Sequence, residues 1–75
     1  MTSHEVYEEI KDAWEMLTIK FDWLDALEKA CKVYHRTPEW FFMAAATYDI
    51  ENIKQVRVSY ETYKRRIKND NKKTT

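Results

Sequence analysis

The groups best placed to do chemistry in this 75-residue chain are cations near its C-terminal end: Arg57, Lys64, Arg65, Arg66, Lys68 and Lys72. Such side chains, spaced along a helix, neutralise phosphates and give binding that weakens steeply with salt. Cys31 stands four residues before His35, a spacing that can put a thiolate and an imidazole on one helix face as metal ligands. Two further ligands are not evident, so Cys31 reads as a structural thiol and no metal site is expected. Glu8, Glu9 and Asp12 can mimic a carboxylate pair, but at helical spacing they read as a solvated face. No Ser-His-Asp arrangement and no phosphate-cradling glycine loop is present. The chain is expected to bind rather than catalyse, with no catalytic residue, cofactor or small-molecule substrate.

The elements that must position these cations are helices. The sequence has no glycine and one proline, which disfavours β-hairpins and nucleotide-cradling turns, both of which use residues tolerant of positive φ. The expected fold is an all-α bundle of about four helices, near 3–18, 22–36, 38–48 and 50–69. A single helical domain covers 1–69, and 70–75 forms a polar tail. Thr2 and Glu5 have capping-box spacing, and Val6, Ile10, Ala13, Trp14 and Leu17 follow as the buried stripe of helix 1. Asp22 caps helix 2, whose stripe is Leu24, Leu27, Cys31 and Tyr34, ending at His35 or Arg36. Thr37-Pro38-Glu39 places a cap, a preorganised first position and an acid at the start of helix 3. The run 40–46 that follows is apolar all round and reads as the central core element. Asp49 is the expected cap of the last segment, with Ile50, Ile53, Val56, Tyr60, Tyr63 and Ile67 on its inner stripe.

The run from Ile53 to Lys68, with Val58-Ser59 at its centre and Tyr60-Glu61-Thr62-Tyr63-Lys64-Arg65-Arg66 after it, resembles the second half of a helix-turn-helix DNA-binding unit. Asp49 would cap a short helix to about Val56, and Ser59 would cap a recognition helix from Tyr60 to Lys68. The resemblance implies that Tyr60, Glu61 and Arg65 face base edges. It sets Thr62, Lys64, Arg66 and Lys68 nearer the backbone, with Tyr63 and Ile67 packed inward. Arg57 stands where that pattern usually has glycine, and a side chain in the left-handed conformation costs roughly 1–2 kcal/mol. A second run, Leu27 to Phe41, looks like the helix that follows the DNA-reading unit in phage repressors, and reports shared helix-boundary chemistry. The alternative for 50–68 is one long basic helix, since its apolar residues fall on one stripe and an interior serine costs only tenths of a kcal/mol. Split near Arg57 or unbroken, Arg57, Tyr60, Glu61, Thr62, Lys64, Arg65, Arg66 and Lys68 are the candidate nucleic-acid-binding residues.

Charge is unevenly distributed although its sum is zero: residues 1–30 carry −5 and residues 31–75 carry +5. An acidic first helix can pair with a basic last one inside the molecule, or each can face a partner. The 3 Trp, 5 Tyr and 3 Phe exceed what so small a core needs. Tyr7, Phe21, Trp23, Tyr34 and Tyr48 are therefore candidate protein-interface residues, because exposed Trp and Tyr anchor interfaces. The partner is DNA on the first reading. On the second it is another protein or a second copy, as for the small accessory or inhibitory proteins that phages encode. The lone cysteine suits a reducing, cytoplasmic setting, and no apolar run approaches the ~20 residues of a membrane span.

Overall fold

The computed structural model describes residues 1–74, with side chains through Asn69. The expected all-α bundle is what forms. α1 spans Ser3–Leu17, α2 Trp23–Val33 and α3 Pro38–Tyr48; a 3₁₀ turn, Ile50–Asn52, then leads into α4, Ile53–Thr74. α3 is the central element and packs against α1, α2 and α4. The side chains expected to make up the polar tail, 70–75, lie outside the described residues.

The helix starts follow local side-chain chemistry. Thr2 and Glu5 form a reciprocal capping box, Thr2 Oγ1 accepting from Glu5 N at 3.1 Å and Glu5 Oε1 accepting from Thr2 N at 3.2 Å. Asp22 accepts from Leu24 N, and Thr37 accepts from Trp40 N with Pro38 at the first helical position. Asp49, expected as a cap, makes no such bond to the backbone. Its carboxylate instead takes the hydroxyl of Tyr7 and the amide of Asn52.

The end of α2 departs from expectation. It stops at Val33 because His35 adopts φ 57°, the left-handed conformation that glycine usually supplies. His35 N donates to Lys32 O and Arg36 N to Cys31 O, at 3.1 and 3.0 Å. Together these are a complete Schellman turn in a chain with no glycine. Cys31 and His35 are consequently not on one helix face: the thiol is buried and the imidazole is exposed.

α4 is unbroken through Arg57 and Ser59, and His35 is the non-glycine residue of positive φ among those described. The split near Arg57 does not occur. The apolar stripe explains this, since Val56, Tyr60, Tyr63 and Ile67 all meet the core from one continuous helix face. Ile50, expected on that stripe, is in the 3₁₀ turn and largely exposed. Core residues Val6, Tyr7, Ile10, Leu24, Leu27, Ala30, Cys31, Phe41, Phe42, Ala44, Ala45 and Tyr63 are buried. Met43, Ala46 and Thr47 give the otherwise apolar α3 one solvent-facing edge.

Candidate functional site

α4 is held to the rest of the molecule by its aromatic side. Tyr60 and Tyr63 pack on Phe42 with ring centroids 5.4 and 5.6 Å away, and the Tyr63 hydroxyl donates to Glu39 Oε1 at 2.7 Å. That bond holds the Glu39 carboxyl below its usual value, while burial, then Glu39, pushes the Tyr63 phenol up. Near the far end, Arg66 reaches Asp22 Oδ2 at 2.6 Å and lies over the Trp23 ring at 5.6 Å. At Asp22, desolvation is outweighed by the Arg66 contact and the backbone amides together, and the net shift is downward.

With the stripe turned inward, Lys54, Arg57, Lys64, Arg65 and Lys68 fall within an arc of about 100° on the outer face, and all are exposed. Lys64 lies over Tyr60 at 4.7 Å and pairs with Glu61 at 3.2 Å. Among the described residues, no ion pair engages Lys54, Arg57, Arg65 or Lys68. The candidate set therefore divides. Arg57, Lys64, Arg65 and Lys68 share a face with Glu61 in its midst. Arg66 is turned toward Asp22, Tyr60 is half-buried beneath Lys64, and Thr62 donates its hydroxyl to Val58 O. Lys54 belongs to the same face, and helical spacing from Arg57 was sufficient to find it. The side chain of Lys72 lies outside the described residues.

The expected aromatic patch is dispersed. Tyr7 is 2% exposed, stacks on Phe41 and donates to Asp49; burial first, then the Asp49 charge, pushes its phenol up to about 12. It is a core residue and not a surface anchor. Tyr34 is half-buried with its hydroxyl on Glu9, and Phe21 is exposed beneath Lys29. Tyr48 stacks on His4 and Trp23 meets Trp14 edge-to-face, toward opposite ends of α1 and so about 15 Å apart. Glu5, Glu8, Glu9, Asp12 and Glu15 line the exposed side of α1, and no described ion pair joins them to α4.

Between α1 and α4 lies a cleft of about 310 Å³. Trp14, Trp23, Phe41, Phe42 and Val56 supply its apolar surface, and Lys11, Asp49, Asn52, Gln55 and Ser59 its polar groups. Lys11 Nζ is 3.8 Å from Asp49 Oδ2. This cleft gave no signal in the sequence, because its lining is drawn from helices that only tertiary packing brings together. Cys31 opens onto neither site: burial, then Glu39, pushes its thiol up to about 12, so it stays protonated at neutral pH. Among the described residues, no helix is long and apolar enough to cross a membrane. Comparison with protein-family models, with curated proteins and with solved structures finds no match for this chain.

Proposed function

We propose that this chain is a small binding protein that lays the outer face of α4 along nucleic-acid phosphates. The observation that supports this reading is the exposed arc of Lys54, Arg57, Lys64, Arg65 and Lys68 on an unbroken helix. A helix of this kind contacts backbone charge and has no separate recognition helix to aim at base edges, so binding is largely indifferent to sequence. With Lys64 partly neutralised by Glu61, about three or four cations remain to displace counterions, giving a slope of log K against log salt of roughly −3. Fluorescence anisotropy with two unrelated duplexes, repeated across a salt series, tests this. Arg57→Ala and Arg65→Ala should each weaken both duplexes equally and reduce the slope by about 1. No binding at low salt would remove the proposal.

A second reading, binding of a partner protein, is favoured by the cleft between α1 and α4. Its aromatic surface and polar rim suit one inserted apolar side chain. Ser59→Trp would fill the cleft from the α4 side. It should abolish such a complex while leaving the salt-dependent binding of duplex intact, and a complex unaffected by it would count against this reading.

A further inference from the structure

Among the exposed apolar side chains outside the core, two groups lie beside clusters of charge, one mainly acidic and one mainly basic. At the end of α1, Met16 is 72% exposed, and in the following turn Ile19 is 84% exposed. With Asp12 and Glu15 they surround a shallow hollow. On α4, Val58 is 59% exposed and is flanked by Arg57, with Lys54 and Arg65 one and two helical turns away on the same side. Among the described residues, the acids of α1 receive no ion pair from α4, and the total charge is zero, so copies do not repel one another overall.

We propose that the partner of each patch is a second copy of this chain. Val58 of one molecule seats against Met16 and Ile19 of the next, and Lys54, Arg57 and Arg65 meet Asp12 and Glu15. The occupant follows from charge complementarity: Asp12 and Glu15 flank one apolar spot, and Lys54, Arg57 and Arg65 flank the other. The patches are different surfaces, so the contact is heterologous and each bound copy offers a further free patch of either sign. It is a small, ion-pair-rich contact, and is therefore weak and sensitive to screening. It engages cations of the same α4 face proposed to meet phosphates, but it is measured without any nucleic acid.

Sedimentation velocity of the full chain over a concentration series tests it, at about 0.02 M and about 0.5 M salt. The weight-average mass should rise above the 9.2 kDa monomer with concentration at low salt and return to it at high salt. Glu15→Lys and Arg65→Glu alter exposed positions, and circular dichroism verifies that each folds. Each alone should remain monomeric. Mixed together they should associate, because the intact α4 face of one variant meets the intact α1 patch of the other. A monomer at every concentration in low salt overturns the proposal. So does association that neither substitution affects, or a mixture that stays monomeric.

Discussion

Replacing His35 with glycine should stabilise this protein, which is the reverse of the usual effect of placing glycine beside a helix. His35 holds φ 57° to close the Schellman turn after α2. A residue with a Cβ pays roughly 1–2 kcal/mol for that conformation. Its imidazole is exposed, and no described hydrogen bond or ion pair engages it, so little is lost with the side chain. Glycine adds freedom to the unfolded chain, which offsets about 0.4–1 kcal/mol of the gain. The net gain centres on about 0.8 kcal/mol, a rise in Tm of about 3–6 °C for a domain of this size. Thermal unfolding followed by circular dichroism reads it directly, with His35→Val as the opposite control, since a β-branched residue tolerates this region least. A Tm for His35→Gly at or below that of the parent would refute the reasoning and place the strain, or a missed contact of the imidazole, elsewhere.

Two further outcomes concern the anchoring of α4. Tyr63→Phe removes the hydroxyl that donates to Glu39 and should cost about 1 kcal/mol in urea unfolding; an unchanged midpoint would mean that water replaces the bond without loss. The pH profile should have two falling limbs. Glu39 and Asp22 have folded values below their ordinary 4.5 and 3.8, so their contribution is complete above those values and lost as pH falls through the depressed ones. Tyr7 and Tyr63 have folded values raised above 10.0, so their contribution is complete below 10.0 and lost as pH rises beyond it. An acid limb unaltered by Glu39→Gln would remove Glu39 from this account.

The parts of the fold legible in the sequence were those set by neighbours along the chain. Thr2 with Glu5, Asp22, and Thr37 with Pro38 mark the helix starts because a cap acts within one turn. The continuity of α4 followed from its apolar stripe. The end of α2 was not legible, since any left-handed residue other than glycine is uncommon and nothing nearby announces this one. Asp49 was misread for a related reason: it has the residue type of a cap, but Tyr7 and Lys11, far away in sequence, claim its carboxylate. The α4 cations were visible from spacing alone, whereas Arg66 left the set because Asp22 and Trp23 approach it only in the folded chain.

The separation of acids on α1 from bases on α4 also governs how the protein behaves on a charged support. A molecule with zero net charge would ordinarily pass through both kinds of ion-exchange column near its isoelectric point of 6.7. Here each support meets a face in which charges of the opposite sign predominate. The folded chain should therefore be retained by cation and anion exchangers alike at low salt, and salt that screens each face should release it from both.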